Sequence, residues 1–291
     1  MRLAAYRHAG APGVGLVSPD LQQIQPLALG FSDLERGVLP LIERLARGET
    51  LPPAEGSPLP LSAVQLAAPI PRPRRNIFCV GKNYHAHAKE FAGSGFDSSA
   101  KSGGDVPAHP IVFSKVPECV IGPDEAIRMP AVSEAIDYEA ELALIVGAGG
   151  KGIAAADAMK HVWGYTIVND VTSRDWQSRH SQWLMGKSFD TFCPMGPWVV
   201  SADELDGRNT TVRCWVNGEE RQNASTRDLI FGIPQLIETL SAGLTLYPGD
   251  IIATGTPVGV GIGFKPPKYL KAGDVVKIEI DGIGVLENPV R

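Results

Sequence analysis

The sequence predicts a mixed α+β fold, richer in strand than in helix, arranged as a small N-terminal domain (residues 1–70) and a larger domain (71–291). Three observations predict it. Short β-branched and aromatic runs punctuated by Gly, Pro and Asp outnumber the stretches with helical spacing. These runs do not alternate regularly with helices, which argues against repeated βαβ units. Between the two parts, PIPRPRR at residues 69–75 is stiff, proline-rich and charged, the composition of a linker whose arginines need do no more than meet solvent.

In chain order, residues 1–70 begin with strand-like pieces broken by Gly10, Pro12 and Gly13. SDLERGVLPLIERLARG follows, with Leu34, Val38, Leu41, Ile42 and Leu45 at helical spacing. Beyond the linker come NIFCVG, IVFSKV, YEAELALIVG, GYTIVND, GPWVV, TVRCWVNG, GDIIATG and DVVKIEIDGIGVLENPV, all read as strands. Helical spacing appears in YHAHAKEF, AADAMKHVW and DLIFGIPQLIETLSAG. The Gly- and Ser-rich stretch from Phe91 to Pro110 is long for a structureless connection, and such loops are commonly lids or disordered segments.

Composition narrows the function classes. The 291 residues are 44% hydrophobic and 20% charged with a formal net charge of -5, and no run of lysine and arginine offers the footprint that nucleic-acid binding needs. A small anionic substrate therefore calls for a local cation. Cys79, Cys119, Cys193 and Cys214 are far apart without a C-x-x-C pair, so neither a zinc cage nor a disulfide framework is expected. MRLAAYRHAG lacks the apolar core of a leader, and no stretch reaches the ~18 continuous apolar residues of a membrane span. The reading is an unprocessed, cytoplasmic protein with no membrane partner.

Candidate chemistry lies in three places. In IDYEAELALIVG, alternation sets Asp137, Glu139 and Glu141 on one strand face, either a solvated outer face or a pair of carboxylates whose repulsion a cation relieves. In GYTIVNDVTSRDWQ, a strand runs into Asp170, with Arg174 and Gln177 following at intervals of four and three; Asp170 is either a third oxygen ligand or a helix N-cap. Hard oxygen donors of this kind suit magnesium or manganese and leave positions open for substrate. In GKNYHAHAKE, Asn83 or Lys82 can open a helix on which His87 and Glu90 share a face, as a general-base pair or as an exposed salt bridge.

Two nucleotide-like motifs carry little weight. GAGGKG at 147–152 has the G-x-G-x-x-G spacing, but the strand before it carries Glu139 and Glu141, whereas the first strand of a dinucleotide fold is buried on both faces. MGKS at 185–188 lacks the phosphate-loop glycine, its place being taken by Ser181.

Taken together, GKNYHAHAKE, YEAELALIVG, GYTIVNDVTSRDWQ, MGKSFDTFCPMGPWVV and GDIIATGTPVGVG resemble the fumarylacetoacetate hydrolase family over roughly residues 72 to 291. The resemblance implies a mixed β-roll with flanking helices, assembled as a homodimer. It implies magnesium or manganese on Glu139, Glu141 and Asp170, and a water-activating pair in His87 and Glu90 with the long loop after them as a closing lid. It further implies Lys187 and Gln177 beside the substrate, Thr256 against the substrate carboxylate, and Arg174 on either the substrate or the ligands. The activity so implied is metal-dependent hydrolysis of a carbon–carbon bond in an acylpyruvate-type 2-oxo acid. The alternative is an isomerase, keto–enol tautomerase or decarboxylase of 2-oxo or 2-hydroxy diacids, toward which the tail GFKPPKYLKAGDVVKIEIDGIG leans through its likeness to 2-hydroxyhepta-2,4-diene-1,7-dioate isomerases. A non-catalytic binding protein is the least favoured reading, because buried charges are costly unless paired or liganding metal.

Overall fold

All seven residues of AELALIV, Ala140–Val146, are buried, and this places the strand at the centre of the fold. It pairs antiparallel with Val162–Asn169 on one edge and with Ile251–Ala253 on the other. A strand covered on both faces reads as a continuous apolar run; Val275–Ile280, VVKIEI, instead alternates buried and half-buried positions because one face meets solvent. The structure is a computed structural model that describes residues 1–93 and 106–291. The Gly- and Ser-rich body of the expected lid, residues 94–105, lies outside the described residues.

Among the described residues the main sheet has twelve strands. From the centre it runs through Ile251–Ala253 and Ile77–Gly81, paired in parallel, to Ile111–Lys115 at one end. In the other direction it passes Val162–Asn169 and Cys193–Ser201 to Arg2–His8 and Ala11–Val17. Arg2 faces Val200 across that last junction, so strands before residue 70 extend the same sheet as strands after it. A second, four-stranded antiparallel sheet joins Thr211–Val216, Glu219–Ser225, Val275–Ile280 and Gly284–Pro289. The longest helix, Ile233–Gly243, buries Ile233, Leu236, Ile237 and Leu240, one stripe at helical spacing.

Local readings depart from the expectation at four places. AADAMKHVW forms only the 3-10 turn Ala158–His161, because Val162 already begins a strand hydrogen-bonded beside Ala140–Val146. That antiparallel pairing also excludes a dinucleotide unit at GAGGKG, which needs a parallel crossover. The reason expected from sequence was wrong, since the preceding strand is buried throughout. The strand Glu219–Ser225, EERQNAS, was missed because its exposed edge carries polar residues. Arg75 of the linker does more than meet solvent: its Nε donates to Asp250 Oδ1 at 3.0 Å, its Nη2 to Thr245 O at 2.9 Å, and its guanidinium lies 4.7 Å from the Phe78 ring centre.

Candidate metal centre

The register of one hairpin builds the acidic cluster. Ala140 faces Asn169 where the central strand meets Val162–Asn169, so the next residue outward on each chain, Glu139 and Asp170, are neighbours. The Asp170 amide donates to Glu139 O at 2.9 Å, and the Glu139 amide donates to Asn169 Oδ1 at 3.0 Å. Glu141 stands one pleat further along. Oxygens of Glu139, Glu141 and Asp170 lie within 4.8 Å of one another, and all three residues are buried. The solvated-face alternative for the glutamates is therefore excluded. So is the N-cap alternative for Asp170, since the N-cap position of the following helix Arg174–Arg179 is Ser173.

Basic side chains hold two of the three carboxylates. Lys115 Nζ, fully buried at the end of Ile111–Lys115, donates to Asp170 Oδ1 at 2.7 Å and also to Val171 O and Lys187 O. Lys187 Nζ bridges Asp170 Oδ2 at 2.6 Å and Glu139 Oε2 at 2.9 Å. Arg174 Nη1 is 2.7 Å from Glu139 Oε1, while its Nε donates to Asp137 Oδ2 at 2.9 Å. Asp137, expected on the same face as the glutamates, belongs instead to the two-stranded pair Ile136–Asp137 with Thr172–Ser173. It accepts from the amides of Gly261 at 2.6 Å and Ile262 at 3.0 Å, which makes it the anchor of Arg174.

Glu141 is treated differently. Among the described residues no basic side chain pairs with it, and it accepts from the Gly255 amide at 2.8 Å. Burial, then Asp170 and Glu139, push its carboxyl well above the ordinary carboxylate range. Burial also acts upward on Glu139, but Lys187, Arg174 and His87 outweigh it and hold that carboxyl below its usual range. The donor set is three hard oxygens with one carboxyl lacking a counter-charge, and a divalent cation would supply that charge.

Of the remaining expected residues, His87, Arg174, Gln177, Lys187 and Thr256 line one small pocket together with Glu139. His87 Nδ1 lies 3.0 Å from Glu90 Oε2, and Glu90 Oε1 accepts from the Gly259 amide at 3.0 Å. The pair is nearly enclosed, so the exposed salt-bridge alternative is excluded. With Glu90 ionised, the ring donates through Nδ1 and leaves Nε2 as the basic nitrogen. Neither Asn83 nor Lys82 stands at the N-cap of this helix, His85–Ala92; Tyr84 does, without a side-chain capping hydrogen bond, while the Asn83 carboxamide donates to Phe231 O and Thr254 O and accepts from the Phe231 amide.

Gln177 Oε1 accepts from Arg174 Nη1 at 3.2 Å, and Thr256 Oγ1 accepts from Gln222 Nε2 at 2.8 Å. Arg174 Nη2 is buried without a hydrogen-bond partner, and such a donor is worth most when a ligand oxygen meets it. The glycine before Lys187 has a packing cause: a Cβ on Gly186 would lie 2.4 Å from the Gln177 amide nitrogen, so the two short helices can meet only there. Sequence reasoning missed Lys115 and gave Asp137 and Asn83 other roles. For Lys115 the signal was a lysine closing an apolar strand, IVFSK, where a charge needs a buried partner.

Residues 76–291 match the family described as fumarylacetoacetate (FAA) hydrolase C-terminal. The chain belongs to this family. A relative from Bacillus subtilis (strain 168), named oxaloacetate tautomerase YisK, is 51% identical over 232 residues, 79% of this chain and 74% of its own length. The fumarylacetoacetate hydrolase EaFAH from Exiguobacterium antarcticum superposes with a TM-score of 0.82 at 37% identity, covering 100% of this chain and 99% of that one. A maleylpyruvate hydrolase from Sphingobium sp. SYK-6, solved with manganese(II) and pyruvate, gives 0.77 at 32% identity over 100% and 98% of the two chains. The strand-rich α+β fold expected of a fumarylacetoacetate hydrolase family member is the one observed. Among the described residues, no helix is long and apolar enough to cross a membrane.

Proposed function

We propose that this protein is a divalent-cation-dependent keto–enol tautomerase of a short 2-oxo diacid of the oxaloacetate type. The observation that carries the proposal is the buried trio Glu139, Glu141 and Asp170, with Glu141 lacking a basic partner among the described residues, beside a small pocket that Glu139 lines together with His87, the ring that Glu90 holds. The name of the 51%-identical relative supports the tautomerase reading over the hydrolase expected from the sequence motifs. Glu139, Glu141 and Asp170 would hold Mg²⁺ or Mn²⁺, which would supply Lewis-acid stabilisation of the charge that develops on a 2-oxo acid. His87 Nε2 removes a proton from the carbon beside the 2-oxo group, and Glu90 orients the ring and stabilises its protonated form, a contribution typically worth ~10²–10⁴ in rate. Lys187 donates toward the oxygen that gains charge; Gln177, Arg174 and Thr256 position the acid. No water is consumed and no carbon–carbon bond breaks. A cytoplasmic homodimer completes the proposal, its assembly measurable by light scattering.

A second reading is hydrolysis of an acylpyruvate. It is favoured by the same His87–Glu90 geometry, which suits activation of water equally well, and by the manganese-bound hydrolase at 32% identity. One assay separates the two: metal-free protein is given enol-oxaloacetate or an acylpyruvate, with and without Mg²⁺ or Mn²⁺, while ultraviolet absorbance and pyruvate are followed. Metal-dependent loss of enol absorbance without pyruvate supports the tautomerase. Pyruvate with the free acid establishes the hydrolase, and indifference to metal sinks both.

A further inference from the structure

We propose that Trp183 limits the length and bulk of the substrate, so that the cavity accepts 2-oxo acids with a compact third carbon and rejects those carrying a bulky substituent there. The inference rests on the tautomerase reading and assigns a specificity-determining residue to that same cavity. Trp183 stands immediately before the short helix Leu184–Lys187, and it is nearly buried, 8% exposed. Its indole is seated against Gly81: a Cβ added there would lie 2.4 Å from Cζ3 and 2.9 Å from Cη2, so a side chain at that position would displace the ring. Two phenylalanines close on it edge to face, Phe113 with ring centres 5.1 Å apart and Phe91 at 6.1 Å. The three rings come from separate elements, which makes a wall that the chain assembles only in the folded state.

The wall stands one cation away from the carboxylates. Lys187 Nζ, bound to Glu139 and Asp170, is 4.8 Å from the Phe113 ring centre; Arg174, bound to Glu139, has its guanidinium carbon 5.8 Å from that of Phe91. A 2-oxo acid whose head lies at the carboxylates therefore meets aromatic rings within a few ångströms along its tail. Trp183, Phe91 and Phe113 line the same pocket as His87, Arg174 and Lys187, and the room left in it for a water-sized sphere is only about 10 Å³. A phenyl group on the third carbon asks more of this space than a carboxylate does, and Trp183 is the bulkiest of the side chains it would meet.

The test compares oxaloacetate with phenylpyruvate as tautomerisation substrates of the metal-loaded protein, in the wild type and in Trp183→Ala and Trp183→Phe. The wild type is expected to favour oxaloacetate, and Trp183→Ala to raise the phenylpyruvate-to-oxaloacetate ratio of kcat/KM by at least ~10-fold, the scale set by one or two methylenes of pocket volume. Trp183→Phe, which keeps an aromatic ring on Gly81, should shift the ratio less and decides the matter if the alanine variant does not fold. An unchanged ratio in a folded variant that still tautomerises oxaloacetate overturns the role of Trp183 and leaves the tautomerase reading standing. A wild type that fails to tautomerise oxaloacetate overturns that reading instead.

Discussion

Glu139 and Glu141 sit two residues apart, and their surroundings push them in opposite directions, Glu139 below the ordinary carboxylate range and Glu141 well above it. In the unfolded chain both carboxyls lose their protons near pH ~4.3. As pH rises past that value without a bound ion, the folded protein keeps the Glu141 proton that the unfolded chain has lost, so this group's contribution to stability falls as pH rises through its folded pKa. Glu139 works the other way, its stabilisation being lost as pH falls through its depressed value. A cation takes the place of the Glu141 proton, so the gain in Tm from Mg²⁺ or Mn²⁺ should be small near pH 5 and larger near pH 8, with proton release on binding. An equal gain at both pH values would count against the metal site. Glu141→Gln should keep the fold, abolish the ion-induced gain in Tm and remove metal-dependent turnover; retained turnover in chelator-treated buffer would show that the ion binds elsewhere. Lys115→Met leaves Asp170 without one of its two lysine partners in the core, a loss of about 3–5 kcal/mol by analogy with other broken buried pairs, measurable by denaturant unfolding. A loss under about 1 kcal/mol would mean that Lys187 alone satisfies Asp170.

At the scale of elements, the T-G-T-P loop shows how backbone conformation serves the cluster. Gly255 has φ +107°, and a Cβ there would lie 2.7 Å from Asn83 Cβ and 3.0 Å from Val80 O. Its amide is the donor that Glu141 receives, so Gly255→Ala should cost about 1–3 kcal/mol of stability and weaken metal binding together. Calorimetric titration with Mn²⁺ beside a thermal melt checks the coupling; a destabilised variant with unchanged affinity would break it. Most elements were legible because their hydrophobic period decides them: AELALIV reads as a strand and the Ile233–Gly243 stripe as a helix, although the burial of both faces of AELALIV was not foreseen. AADAMKHVW misled because its spacing is helical while its neighbour in the sheet claims Val162 for a strand, a tertiary effect that no local pattern carries. The three carboxylates were legible because two lie in one E-x-E and the third ends a strand; Lys115, Asp137 and Asn83 were not, because each finds its main partners more than thirty residues away.

For the molecule as a whole, the first seventy residues do structural service to the rest. Arg2–His8 covers the edge of Cys193–Ser201, the strand two places from the acidic cluster's own. Removing residues 1–70 would expose that edge as a row of unpaired donors and acceptors, and the expected product is an aggregating, inactive fragment. Size-exclusion chromatography of the truncated chain checks this; a monodisperse, active fragment would show that the larger part folds alone. The sequence-level boundary near residue 70 came from linker composition, which reports local stiffness and says nothing about which strands pair across it.

The Asn83 carboxamide reaches residues 148 and 171 positions later in the chain, Glu141 waits for an amide 114 positions on, and Asp137 for one 124 positions on. During synthesis these side chains leave the ribosome long before the backbone that will hold them. A nascent chain thus carries the acidic residues of the centre in unfinished form, solvated and free to exchange any ion they meet. A divalent cation held by the three carboxylates would therefore have to settle after the C-terminal part of the chain has closed on them.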